Sequence, residues 1–499
     1  MELQFKKEPL SWMETAVSRV QNQELTQELK LSDGMPDVGR VLSAWGQFVL
    51  RSKEWRGGGF SASGGMMVWV LYAPEDGSQP RCIHGWIPGQ WQWDVPSDTP
   101  EGQIRISCRV RFVDARSVSP RKILVRAGVA ALGEGCVRRE GCTWVPGEVE
   151  KDVQLLHRTY PLTLMTEVGE KTLQLEELLS LPQSAPEPEK LICTTVQPEI
   201  TEQKVLGSRI VFRGDLNLHV LYLSREGQLH SWDFPVNFSQ YDELSQSHGQ
   251  DTRSEVLVMP TDLDAELQED GQLRVKCGLV AQYALEDGML LKVVEDAYSP
   301  NRELEVKSEQ LELPVVLEEK TQNMTVQTQV PLNGDIVVDT SILPDFPRVR
   351  RIEDSVELEV PGMVQALASG LAGALQGGTA RWEGKLSIPA HPQCSVRVLP
   401  GGAGQIRAEN GGDGISVRAQ LPLDLKTTAV QSIPMVSALT LGECVRPDPQ
   451  RPSLILCRAG EESLWQLARS SGSTVDAIRE ATGLEGEPVP GQMLLIPVL

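Results

Sequence analysis

Six histidines (His84, His157, His219, His230, His248, His391) and nine cysteines (82, 108, 136, 142, 193, 277, 394, 444 and 457) are the residues of this chain best suited to metal or nucleophilic chemistry. A metal site needs several ligands converging from short, characteristic spacings. No histidine stands at such a spacing from another histidine or a cysteine, and there is no CxxC pair. The odd, scattered cysteine count also argues against a disulfide framework. Cys108, Cys277 and Cys457 lie in alternating apolar segments, so buried reduced thiols are expected. His84 and His230 each precede a tryptophan at comparable positions and read as structural, while His219 lies within a strand pattern and should be half-buried. Arg56-Gly57-Gly58-Gly59-Phe60 is glycine-rich but lacks the GxxxxGK[ST] pattern of a phosphate loop. Carboxylate pairs such as Glu318-Glu319 and Glu461-Glu462 read as solvated faces, because acid–base work needs carboxylates held in a cleft. These residues predict no enzyme, no metal and no cofactor.

Binding is better supplied. Ser119-Pro120-Arg121-Lys122, with Arg126, is a basic cluster in an acidic chain. It reads either as a surface loop leading into a strand or as a docking site in which Arg121, Lys122 and Arg126 pair with carboxylates of a partner. Trp86, Trp232 and Trp382 recur once per repeat and are expected to be core pegs, as is Trp465. The chain has 499 residues and a formal net charge of −21, which disfavours nucleic acid through repulsion by phosphate. Nothing approaches the roughly 18 apolar residues that cross a bilayer. The start, Met1 to Pro9, lacks the apolar core of a signal peptide, so a cytoplasmic location is expected.

The elements that must position these residues repeat. Met67-Val68-Trp69-Val70-Leu71-Tyr72 is echoed by Asn217-Leu218-His219-Val220-Leu221-Tyr222. Each leads through a Gly turn (Asp76-Gly77, Glu226-Gly227) into a tryptophan and proline strand, Trp86-Ile87-Pro88 or Trp232-Asp233-Phe234-Pro235. Ile104–Cys108 pairs by pattern with Leu273–Cys277, and Asp114-Ala115 with Asp296-Ala297. A weaker third copy carries Val356–Val360, Arg381-Trp382 and Ile415–Leu421. Apolar and polar residues alternate over five to eight positions between turn residues, which predicts short antiparallel strands, wet on one face. The fold class is therefore mainly β: tandem antiparallel β-sandwich-like domains plus a small C-terminal α+β module. The boundaries fall at 1–145, 189–318 and 319–446 for the β copies. Residues 146–188 make a segment with a short helix over Lys171–Leu179 and a Pro/Glu linker after it. A proline-rich linker at 447–453 precedes the module at 454–499.

In that module a strand, Leu454–Cys457, precedes a helix capped by Ser463 that buries Leu464, Leu467 and Ala468. A second helix follows Ser473 or Thr474, and Pro490–Pro497 returns as turn and strand, giving the order βααβ. Glu462–Ala468, Thr474–Ile478, Gly483-Leu484 and Pro490–Pro497 resemble the LysM module, which binds N-acetylglucosamine polymers in a shallow groove between two loops. The resemblance implies a groove of Gly460, Glu461, Glu462, Ser463 and Leu464 with Ala481, Thr482, Gly483 and Leu484. The usual Gly-Asp-Thr is here Glu461-Glu462-Ser463 and the common loop Asn is Thr482, a departure that points toward a protein ligand.

Asp33-Gly34-Met35-Pro36-Asp37-Val38-Gly39-Arg40-Val41-Leu42 and the stretch from Asp114 to Ala127 resemble the SPOCS domain of spore coat proteins. Repeated SPOCS-like domains before a LysM resemble the SipL-type spore morphogenetic proteins. The resemblance implies a non-catalytic adaptor of endospore envelope assembly in the mother-cell cytoplasm. Its partners would be the basal coat ATPase at the forespore surface and other coat proteins. A peptidoglycan anchor is the alternative.

Overall fold

The computed structural model describes residues 2–370, 373–389, 393–411, 413–444 and 451–499, with side chains from residue 5. His391 and most of the linker expected at 447–453 lie outside the described residues. The first copy comprises β1 (Glu2–Lys30), β2 (Val38–Arg56), β3 (Gly59–Pro74), β4 (Arg81–Asp94), β5 (Gln103–Ser119) and β6 (Lys122–Pro146). The second comprises β7 (Gln154–Leu179), β8 (Pro188–Leu206), β9 (Arg209–Ser224), β10 (Leu229–Glu243), β11 (Arg253–Leu267) and β12 (Leu273–Tyr298). The third runs through β13 (Arg302–Val330), β14 (Ile336–Pro344), β15 (Arg348–Ile352), β16 (Ser355–Ser369), β17 (Leu375–Pro389), β18 (Cys394–Pro400), β19 (Arg407–Gly411) and β20 (Gly414–Cys444). In each copy the sixth strand lies between the first and fifth, and the third between the second and fourth; in the last copy β14/β15 and β18/β19 are broken versions of single strands. The two sheets of each copy enclose one apolar core.

The alternation expected from sequence is what fills these cores. Ile123, Val125, Ala127 and Val129 on β6 point inward, as do Leu273, Val275, Cys277 and Leu279 on β12 and Ile415, Val417, Ala419 and Leu421 on β20. Two sequence expectations need correction. Lys171–Leu179 is the end of strand β7, paired along β12 (Leu179 to Leu273, Leu173 to Leu279), not a helix. Its Leu and Glu favour a helix only weakly, and Leu173 and Leu175 also fit a period of two; the ladder offered by β12 decides. The residues after it, up to Pro188, connect β7 to β8 within one sandwich. Second, Ile104–Cys108 lies on the fifth strand of its copy whereas Leu273–Cys277 opens the sixth, so that pair of landmarks is offset by one strand. The Val-Leu-Tyr pair is in true correspondence, and Tyr72 and Tyr222 are both buried.

The first strand of every copy carries a one-residue bulge at the same place: between Thr15 and Val17 on β1, between Met165 and Glu167 on β7, and between Val316 and Glu318 on β13. The extra residue shifts the parity of the strand while its partner runs on unbroken, so the buried residues before and after it stay on one face of the sheet. Past the bulge, Val17, Leu25 and Leu29 fill the sandwich of copy one; before it, Trp12 continues the same face into a separate cluster. Leu162 and Leu164 on β7 and Leu311, Leu313 and Val315 on β13 likewise precede their bulges, and with Trp12 they form one cluster joining all three copies. The start of β1 also pairs with β20 (Glu2 to Thr440), closing the last copy onto the first.

Charged groups reinforce this junction. Arg105 on β5, Glu255 on β11 and Arg397 on β18 come from the fifth strand of each copy. Arg105 meets Glu255 at 2.7 Å and Glu134 at 3.2 Å; Arg397 meets Glu134 at 3.3 Å and also pairs with Glu255. Burial would raise the Glu255 carboxyl, but Arg397, Arg105 and Lys426 outweigh it and hold it far below the usual carboxylate range. Gln282 on β12 donates to the Ile106 carbonyl and accepts from its N–H, both at 2.8 Å, so β5 of copy one is docked backbone-first.

A second three-copy contact runs through His219 of β9. Its Nδ1 meets Asp233 at 2.7 Å and its Nε2 lies 3.0 Å from Asp339 of β14, which accepts from the Trp45 indole of β2 at 2.8 Å. Burial would lower the imidazole pKa, yet the Asp233 and Asp339 carboxylates hold it up to about 10. A raised folded-state pKa makes the contribution full below the unfolded value of roughly 6.5 and lost as pH rises through about 10. His219→Gln is therefore expected to cost about 2 kcal/mol at pH 6, and clearly less at pH 10.5, in paired denaturant titrations.

Candidate functional site

The C-terminal module is built from β21 (Leu454–Arg458), α1 (Leu464–Ser471), α2 (Val475–Thr482) and β22 (Met493–Pro497), in the expected βααβ order. Ser463 caps α1 through a capping box with Gln466, and Gly472 ends it in the left-handed region (φ 61°). Thr474 caps α2 and Gly483 (φ 70°) ends it. The helices pack Leu464, Leu467, Ala468 and Ile478 onto Leu494 and Ile496. In the β21–β22 pair, Ile455 and Cys457 share the inner face with Ile496 and Leu494. The outer face carries Leu454, Leu456 and Met493, each about half-exposed or more.

The two predicted groove segments sit at the N-terminus of α1 and the C-terminus of α2. Gly460, Glu461, Glu462, Ser463, Ala481 and Gly483 are exposed, Thr482 and Leu484 half-buried, and Leu464 buried in the core. Most polar groups here are satisfied within the module. The Ser463 N–H donates to Gln466 (2.9 Å) and the Leu464 N–H to Glu487 (2.9 Å). The Thr482 hydroxyl accepts from Leu495 N (2.9 Å) and donates to Leu495 O (3.1 Å), tying α2 to β22. What remains open is the Glu461 and Glu462 carboxylates, both exposed.

Trp465 lies outside this groove. Half-buried, it packs edge-on to Tyr298 of β12 with centroids 4.7 Å apart, and its indole donates to Asp296 at 2.8 Å. Arg469 donates to the same carboxylate oxygen at 2.6 Å, and the Tyr298 hydroxyl donates to the Ser473 carbonyl at 2.9 Å. Asp296 and Tyr298 thus moor the module to the end of the second copy. Sequence reasoning noticed Asp296-Ala297 as a repeat landmark but carried no signal of this contact.

The basic cluster is internally matched. Arg121 pairs with Asp37 at 3.0 Å and donates to the Ser32 and Met35 carbonyls, clamping the Asp33–Asp37 loop. Lys122 meets Glu28 at 2.9 Å and Arg126 meets Glu24 at 2.8 Å across the β1–β6 pair. These contacts favour the loop-and-strand role over a free docking patch. The tryptophans also differ from expectation. Trp382 is buried and Trp232 packs on its core, but Trp86 is 37 % exposed and is no core peg. Its outward position on β4 follows from register, since Ile87 next to it takes the inner face.

His248 is wholly buried between Asp287 (2.8 Å) and Glu167 (3.1 Å), and Ser245 donates to Glu167 rather than to the imidazole. The arrangement pins the loop after β10. Among the described residues no group of three or more His, Cys, Asp or Glu is placed to hold a metal ion, and no helix is long and apolar enough to cross a membrane. No curated protein and no solved structure matches the chain. Residues 187–268, which contain β8 to β11, match the family model for the SPOCS domain of SipL.

Proposed function

We propose that this chain is a non-catalytic adaptor in endospore envelope assembly, working in the mother-cell cytoplasm at the forespore surface. The SPOCS match over the second copy is the observation that carries the reading. The C-terminal module, LysM-like in its order and caps, docks onto the basal coat ATPase, and the β copies offer surface to other coat proteins. A protein ligand is favoured over a glycan by chemistry. An acetamide needs free donors and acceptors, yet the Thr482 hydroxyl and the Leu464 N–H are already engaged. The exposed Glu461 and Glu462 and the apolar face of Leu454, Leu456 and Met493 suit a basic, partly apolar protein surface. The alternative, an anchor for N-acetylglucosamine polymers of peptidoglycan, requires Thr482 to leave Leu495.

Co-sedimentation of the full chain with polymerised coat ATPase and, separately, with insoluble peptidoglycan tests this. Leu456→Glu and the pair Glu461→Lys and Glu462→Lys are each expected to reduce recovery on the ATPase about tenfold, or about 1.4 kcal/mol. Saturable recovery on peptidoglycan that Leu484→Asp abolishes, with none on the ATPase, would reverse the assignment.

A further inference from the structure

Trp86, Trp232 and Trp382 occupy the fourth strand of the first two copies and the corresponding strand of the third, yet only Trp86 is more than a third exposed. Its indole passes close to Gly65, where a Cβ would come within 2.6 Å of the ring. Trp382 lies over Gly362 in the same way, but buried. The Arg51 guanidinium lies over the Trp86 ring, 5.3 Å from its centroid, and is itself held by Asp262 (3.2 Å) and the Thr261 carbonyl (3.2 Å).

Beside the indole opens a shallow cavity of about 610 Å³, lined by Gln23, Arg51, Ser63, Trp86, Pro88 and Gln90 over glycines 64 and 89. Such a volume falls within the range of small-molecule sites. No carboxylate lines it, in a chain whose net charge is −21. The one charge, on Arg51, is matched by Asp262. Gln23 Oε1 is buried at this wall without a hydrogen-bond partner.

We propose that this groove binds a short, neutral saccharide. A pyranose ring presents an apolar C–H face and a rim of hydroxyls that both donate and accept. The exposed part of the indole, beside the Arg51 guanidinium, provides a rigid apolar surface for the face. The amides of Gln23 and Gln90 and the hydroxyl of Ser63 supply both donors and acceptors for the rim. With no unmatched charge, the groove does not select an ion. The site is separate from the C-terminal module and does not depend on the adaptor reading.

Saturation-transfer difference NMR on the full chain, with an N-acetylglucosamine trimer and a glucose trimer as probes, tests the proposal. Saturation of the ring protons of at least one trimer at millimolar concentration is expected. Trp86→Ala and Gln90→Ala, both at exposed positions, should each weaken it about tenfold, while Leu484→Asp in the C-terminal module leaves it unchanged. Failure of both trimers to bind would overturn the proposal. So would equal binding by Trp86→Ala, loss in Leu484→Asp alone, or saturation of a proline-rich peptide in place of the sugars.

Discussion

Glu255→Ala is expected to destabilise the protein by about 3–5 kcal/mol, the cost of leaving buried cations without their counter-charge. Arg105 is 4 % exposed and Arg397 is 17 % exposed at the side chain, and among the described residues only Glu134 would remain paired with both guanidiniums. The comparison that isolates charge from packing is Glu255→Met combined with Arg397→Met. An apolar exchange of a buried pair is often neutral, so the double variant should recover most of the loss. Chemical denaturation read by far-UV circular dichroism checks both. A loss under about 1 kcal/mol for the single change would show that the network is solvated and weak. The pH dependence follows from the depressed Glu255 pKa: its contribution is present above the ordinary carboxylate value and fades as pH falls toward the folded-state value.

Leu313→Ala is the second large effect, about 2–5 kcal/mol. Its side chain is wholly buried among Trp12 of copy one, Leu162, Leu164, Leu291 and Val293 of copy two, and Ile433 and Met435 of its own copy. Because three copies share this cluster, the variant should lower the midpoint of one common unfolding transition rather than release the third copy alone. Tryptophan fluorescence and far-UV circular dichroism should therefore stay coincident. A biphasic curve in the native chain would mean that the sandwiches fold independently.

Much of this was legible along the chain. Alternation gave the strands, and Ser463, Thr474 and the Leu464–Leu467–Ala468 spacing gave the module, because caps and periodicity are local signals. The strands of 25 residues and more were not legible. Their bulges switch the buried set from even to odd positions, as between Leu164 and Leu173, so a single strand reads as two unrelated patterns. Arg105 was equally hidden. It alternates with Ile104 and Ile106 as a solvated residue would, yet its face turns toward another copy instead of water. The mooring of Trp465 by Asp296 spans 169 residues of sequence, and neither residue type announces the other. Thr482 was recognised as a departure from Asn, but that its hydroxyl would be consumed by Leu495 depends on a tertiary approach.

The shared junction of the three copies has a consequence for how this molecule can diversify. Three separate subunits related by rotation must carry identical side chains at their meeting point, and a ring of one like charge there would repel itself. Joined in one polypeptide, the positions of Arg105, Glu255 and Arg397 are free to differ and to neutralise one another. The same liberty extends to the outer faces, so a single gene product can hold three unlike surfaces at set angles without assembling from parts.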